Sequence, residues 1–130
     1  MLNTGFITGI LFFLSFGVFA PEMNEDIASA FRSGEAKQVS KFFGTNIDLV
    51  LLDKEDVYSK SQAELILKEF FSKNKPKAFS IVHTGVSKNG SRFAIGKLQA
   101  GTGVFKVTWF IKKDKEVQFI HQLRIEPGDE

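Results

Sequence analysis

The sequence predicts an α+β domain in which helices pack on one face of an antiparallel sheet. Amphipathic helical spacing is concentrated in the first half of the chain, and four β-rich segments follow one another in the last fifty residues, separated by short turns. The 130 residues include no cysteine, and 43% are hydrophobic. These values are typical of one globular domain and exclude a disulfide framework, a thiolate zinc site and a cysteine nucleophile.

The N-terminal segment has the character of a targeting signal. Residues 1–20 contain no charged side chain, and residues 6–20 form an apolar run that is shorter than the ~20 residues of a transmembrane helix. Ala20 provides a small residue before a cleavage site, whereas Pro21 and the absence of an N-terminal Lys or Arg are atypical. We interpret residues 1–20 as a signal peptide for export to the periplasm or envelope of a bacterium. The alternatives for residues 1–20 are an uncleaved membrane anchor and a buried core helix. Residues 21–130 are predicted to form a single α+β domain.

Three helices are predicted before the main run of strands. Asn24 is a candidate N-cap of the first, Gly34 interrupts the helical pattern, and Gly44 is a candidate stop after it resumes. The third helix begins at a capping box headed by Ser59 or Ser61. Its apolar stripe consists of Ala63, Ile66, Leu67, Phe70 and Phe71.

The strands are predicted from β-rich segments between turn signals. Residues 46–52 form a strand, residues 57–58 a brief extension, and Asn89-Gly90 is a hairpin signal. The four main strands cover residues 78–87, 92–100, 104–112 and 116–126.

Strand side chains alternate between the two faces of a sheet, which predicts what each face carries. One face takes the rows that contain His83, Trp109 and His121, and we expect it to be the concave side against the helices. The opposite face carries Phe110 and Ile120 among polar residues, which is more apolar than a face that meets only water. It predicts a homodimer or partner interface, with scattered surface apolar residues as the alternative.

Segments 30–43, 57–85, 87–98 and 119–126 resemble a small family of exported bacterial domains of unknown function. The resemblance covers residues 24–126. It implies the nuclear-transport-factor-2-like (NTF2-like), or cystatin-like, α+β fold. The wider superfamily implies a cone-shaped pocket between sheet and helices and often a dimer formed through the sheet. The resemblance carries over no catalytic residues.

Four residues are candidates for lining such a pocket, although strand histidines and tryptophans are more often core residues. Two histidines without cysteine are too few for a zinc site, which generally has three or four protein ligands, so no metal or cofactor is expected. The candidates are Tyr58, His83, Trp109 and His121.

Charge is unevenly distributed along the chain. Residues 70–113 carry nine basic side chains and no acidic one. An isomerase or dehydratase of this superfamily would need an inward carboxylate as general acid or base, and most of the meander offers none. We therefore predict a non-catalytic domain that binds a small molecule or a protein. The alternative is a small enzyme that uses His83 or His121 with Asp48 in the cone.

The basic block is also a candidate for binding an anionic ligand, unless its lysines serve only solubility and protection of the sheet edge. Nucleic acid is not expected, because Arg92 is the only arginine in the block and exposed aromatic residues interleaved with arginine are missing. The main candidates for the anion site are Lys88, Arg92, Lys97 and Lys106, with Lys73, Lys75 and Lys77 beside them.

Overall fold

The computed structural model describes residues 20–129. Its order of helices and strands is the predicted one. The predicted signal peptide lies outside the described residues except for Ala20, where the first helix begins. The helices are α1 (Ala20–Ser33), α2 (Ala36–Ser40) and α3 (Lys60–Lys73). The strands are β1 (Phe43–Leu51), β2 (Lys54–Ser59), β3 (Pro76–Val86), β4 (Arg92–Ala100), β5 (Gly103–Asp114) and β6 (Val117–Pro127).

All six strands form one sheet in the order β2-β1-β6-β5-β4-β3. The prediction of an antiparallel sheet is correct for every pair except one, because β1 pairs with β6 in parallel. The parallel register places Leu49 beside Leu123, so both apolar side chains enter the core. α1 and α3 pack against one face of the sheet. We call the opposite face the outer face.

Two predicted helix boundaries are wrong. Asn24 is not an N-cap, because it lies inside α1, four residues after Ala20. Gly44 is not a helix stop, because α2 ends at Ser40 and Gly44 lies in β1. A Cβ atom at Gly44 would lie 2.6 Å from the ring of Phe119, so the glycine makes room for a neighbouring strand.

Other local predictions are confirmed. Gly34 separates α1 from α2 and has a φ of +70°, which suits glycine. The capping box of α3 is headed by Ser59: its hydroxyl accepts the Gln62 N–H at 3.2 Å, and the Gln62 side chain accepts the Ser59 N–H at 3.2 Å. Ile66 of the predicted stripe is only partly buried, whereas the other four residues are buried.

Stacked aromatic rings fill the space between α1 and the sheet. Phe31 of α1 lies parallel to Trp109 at 5.8 Å between ring centroids and stacks on Phe79 at 5.2 Å. Phe71 of α3 meets Phe31 edge-on at 6.1 Å. The Trp109 indole N–H donates to the Asn24 side-chain oxygen at 2.9 Å, so the polar atom of this buried ring has a partner from α1.

Gly96 is required by this ring packing. A Cβ atom at Gly96 would clash with Cζ of Phe79 on the side of β4 that faces the core. We expect Gly96→Ala to lower the free energy of unfolding by about 1–3 kcal/mol, because the ring cannot move without disturbing the stack. Urea denaturation followed by circular dichroism measures this.

Gly101→Ala is the matched control. Its Cβ would come no nearer than 3.8 Å to the flexible side chain of Lys77, so the change in stability should stay within about 0.5 kcal/mol. Equal effects of the two substitutions would contradict the packing argument.

Candidate functional site

The predicted pocket region beside Trp109 is occupied by the aromatic core. Trp109 is fully buried, with Phe31 and Phe79 stacked around it. It belongs to the core that joins α1 to the sheet.

The two histidines do not face the helices, so that prediction is wrong. In β3, Ile81 pairs with Gly96 but His83 pairs with Ile95, so Val82 is an extra residue. Such a β-bulge shifts the alternation by one position, and His83 therefore lies on the outer face.

A second bulge does the same to His121. Phe110 pairs with Gln122, whereas Ile111 pairs with Ile120, which leaves His121 as the extra residue of β6. Ile120, expected on the outer face, is instead fully buried beside Ile111.

The bulges bring both histidines into one row of rings across the outer face. We call this row, His83–Phe93–Phe110–His121, the outer ladder. The ring centroids are 5.8 Å apart for His83 and Phe93, 5.9 Å for Phe93 and Phe110, and 6.3 Å for Phe110 and His121. The Phe93 and Phe110 rings are stacked at an angle of 17°. Phe93 is not among the predicted site residues, although its position next to the inward Ala94 indicates the outer face.

Polar groups lie beside the His121 end of the ladder. Ser91 Oγ is 3.4 Å from His121 Nε2, and Asp48 accepts a hydrogen bond from Gln122 at 3.2 Å. Burial lowers the pKa of His121 below 6.5, and the positive charge of Lys112 lowers it further, while Asp48 acts in the opposite direction.

These positions also change the enzyme hypothesis. Asp48 lies between the inward Ile47 and Leu49 and pairs with Gln122, which lies opposite Phe110. The alternative hypothesis, in which Asp48 works with His83 or His121 inside the cone, is therefore wrong, since all three residues lie on the outer face.

Tyr58 is the predicted pocket residue that lines an opening between helix and sheet. This cleft of about 380 Å³ lies between α3 and the β1–β2 hairpin. Its apolar wall comes from Leu49, Leu51, Ile66 and Phe70, and its rim carries Asp53, Lys54, Glu69, Lys73 and Asn74.

The basic candidates are not brought together as one patch. Lys97 and Lys106 are cross-strand partners on the outer side of β4 and β5, whereas Lys88 and Arg92 lie at the β3–β4 turn. Lys73 and Lys75 line two different clefts. Within residues 20–129, no group of three or more His, Asp or Glu side chains is arranged to hold a metal ion, and no helix is long and apolar enough to span a membrane.

Comparison with known proteins places this geometry in a family. The model of a domain of unknown function, DUF4783, matches residues 24–126. The crystal structure of a DUF4783 family protein from Bacteroides ovatus is 34% identical, and the match covers 81% of this chain and 94% of that chain with a TM-score of 0.75. One from Bacteroides uniformis is also 34% identical, with 82% and 97% covered and a TM-score of 0.74.

More distant structures show the fold alone. An NTF2-like protein of unknown function from Cytophaga hutchinsonii is 8% identical, with 85% of this chain and 91% of that chain covered and a TM-score of 0.58. A domain of unknown function from Nostoc punctiforme with a cystatin-like fold is 8% identical, with 84% and 75% covered and a TM-score of 0.64. No curated protein sequence matches the chain. The chain belongs to the DUF4783 family, and its domain has the NTF2-like, or cystatin-like, α+β fold.

Proposed function

We propose that this chain is an exported, non-catalytic interaction domain that forms a homodimer by packing the outer faces of two sheets. The outer ladder is the observation that carries the proposal. Four rings lie side by side on a face against which none of the described helices packs. Aromatic side chains at the centre of a surface are typical anchors of protein interfaces. Export rests on the apolar residues 1–20.

The size of the outer face suits such a dimer. Five strand spacings of about 4.8 Å make the face about 24 Å wide, and the nine residues of β4 are about 30 Å long. The resulting area of about 700 Å² is close to the ~800 Å² that each partner buries in a standard interface.

Charge on the outer face is self-complementary. Asp48 and Glu55 lie on β1 and β2, whereas Lys97 and Lys106 lie on β4 and β5. A two-fold axis parallel to the strands, through the middle of the sheet, places β2, β1 and β6 of one copy over β3, β4 and β5 of the other. Each acidic side then faces a basic side, which favours a second copy of this chain as the partner.

The dimer is tested by replacing the centre of the ladder. We expect the purified protein to sediment as a dimer at about 100 µM and Phe110→Glu to sediment as a monomer, because the carboxylate would be buried between two apolar faces. Leu65→Glu is the control, because Leu65 is 66% exposed on α3, and it should remain dimeric. Circular dichroism verifies folding. A parent protein that is monomeric at this concentration would show the proposal to be wrong.

Association should weaken in acid. His121 belongs to the proposed interface, and its pKa lies below 6.5 because of burial and Lys112, against the opposing effect of Asp48. The ring is therefore neutral at pH 7.5 and gains a proton only as the pH falls below 6.5, when the added charge opposes burial. Between about pH 7.5 and 5.5 we expect the dimer dissociation constant to rise about tenfold. His121→Gln should remove most of this rise in sedimentation equilibrium; a tighter dimer in acid would contradict it.

A second candidate function is the binding of a small amphipathic molecule in the Tyr58 cleft. The observation that favours it is the combination of an apolar wall with a phenol and a rim of both charges. We expect anilinonaphthalene sulfonate, an apolar anionic probe, to gain fluorescence in this cleft. Ile66→Glu should weaken its binding about tenfold, whereas Leu65→Glu, next to it but outside the cleft, should leave it within about twofold. Equal effects of the two substitutions would exclude the cleft as the site.

A further inference from the structure

A second cleft lies at the end of the sheet where the β3–β4 turn meets β5 and β6. Its volume is about 590 Å³. Three cationic side chains line it, Arg92, Lys112 and Lys113. The other lining residues are Gly90, the apolar Ile111 and the neutral hydrogen-bonding residues Asn89, Ser91 and Gln118.

The cleft has an unbalanced positive charge. No carboxylate is among the residues that line it, and Asp114 and Glu116 of the β5–β6 turn are not part of the lining. The ion pairs within residues 20–129 join Glu69 to Lys73 and Arg124 to Glu126, both away from the cleft. The summed positive charge of the three residues attracts an anion to the cleft.

The turn that forms one wall is held in place by its own hydrogen bonds. The Ser87 N–H donates to the Ser91 carbonyl at 2.8 Å, and the Gly90 N–H donates to the Ser87 carbonyl at 2.9 Å. The Asn89 side-chain oxygen accepts the Ser91 N–H at 3.0 Å and the Ser87 hydroxyl at 2.5 Å. Gly90 has a φ of +91°, which the turn requires. Arg92 therefore directly follows a turn whose backbone is held by hydrogen bonds.

Strand pairing fixes the other wall. Arg92 pairs with Ile111, and Lys113 pairs with Gln118. Lys112 lies between Ile111 and Lys113, and its charge acts on His121 of the neighbouring strand. A planar guanidinium binds two oxygens of one oxyanion, and the lysines add point charges around it.

We propose that this cleft binds a phosphate group, either free or carried by a molecule such as a lipid headgroup. The site differs from the four predicted anion-binding residues, of which it contains Arg92 alone, and Lys112 and Lys113 replace the others. The cleft adjoins the His121 end of the outer ladder, because Ser91 lines the cleft and its Oγ lies 3.4 Å from His121 Nε2, but no ring of the ladder lines the cleft.

His121 provides a reporter for occupancy. Lys112 lowers the pKa of His121, so a phosphate that neutralises Lys112 should raise that pKa. An ion bound elsewhere on the surface would leave the titration of His121 unchanged, apart from general screening by salt.

The experiment compares two charge-matched double variants of the purified protein. Inorganic phosphate is titrated at constant ionic strength and followed by NMR. We expect the parent to bind with a dissociation constant of about 1 mM or lower, with a rise in the His121 pKa. Arg92→Gln/Lys113→Gln should weaken binding at least about tenfold and abolish the pKa rise. Lys37→Gln/Lys68→Gln, on α2 and α3, removes the same charge away from both the cleft and the outer face and should change binding less than about twofold.

A vesicle arm distinguishes the sources of the phosphate. The parent protein is sedimented with phosphatidylcholine vesicles, with or without phosphatidylglycerol. Co-sedimentation that requires phosphatidylglycerol and is abolished by Arg92→Gln/Lys113→Gln assigns the cleft to a lipid headgroup. Phosphate binding without co-sedimentation assigns it to a soluble phosphate. Equal losses in the two double variants, or no response to phosphate or vesicles, would overturn the proposal. The variant Phe110→Glu, which should be monomeric, is expected still to bind phosphate, and this result separates the test of the phosphate site from the test of the dimer.

Discussion

The structure depends on the mutual contacts of the Phe31, Phe79 and Trp109 rings, whose centroids lie 5.2, 5.8 and 6.0 Å apart. Phe31 comes from α1, whereas Phe79 and Trp109 come from two strands of the sheet, so one ring joins the helical layer to the centre of the sheet. Each ring buries a large apolar area, and their stacked geometry adds about 0.5–1.5 kcal/mol per pair. The rings fill the space between α1 and the sheet, whereas a cleft beside Tyr58 between α3 and the β1–β2 hairpin stays open.

Because the inner face of the sheet packs against α1 and α3, the outer face is the one on which we propose that two copies associate. None of the described helices packs on the rings of the outer face. The positions of these rings are set by the same strand pairing that positions the core residues. Phe93 packs over Gly85 of the next strand, whose Cβ would come within 2.9 Å of the ring. The outer ladder is therefore part of the sheet's own stability as well as the surface on which we propose that the dimer forms.

The order of elements and most inward side chains follow from local patterns in the sequence. Turn residues separate the strands, and alternation correctly places Trp109 and Leu123 in the core. The same alternation fails for His83 and His121, because a β-bulge in each strand adds one residue and reverses the face. No residue type in the sequence indicates where these bulges occur. Asn24 illustrates another limit: its partner, Trp109, is 85 residues away, so a local capping preference cannot reveal the contact.

The parallel pairing of β1 with β6 has a consequence for how the chain matures. Asp48 and Gln122, which meet across this pair, are 74 residues apart, and β6 ends at Pro127. The β1–β2 hairpin therefore has no further strand to pair with until β6 has left the ribosome. Closing so distant a contact favours completion of the sheet only once β6 has been synthesised. Until then β1 and β2 form an isolated hairpin, which is at most marginally stable, and the nascent chain remains incompletely folded.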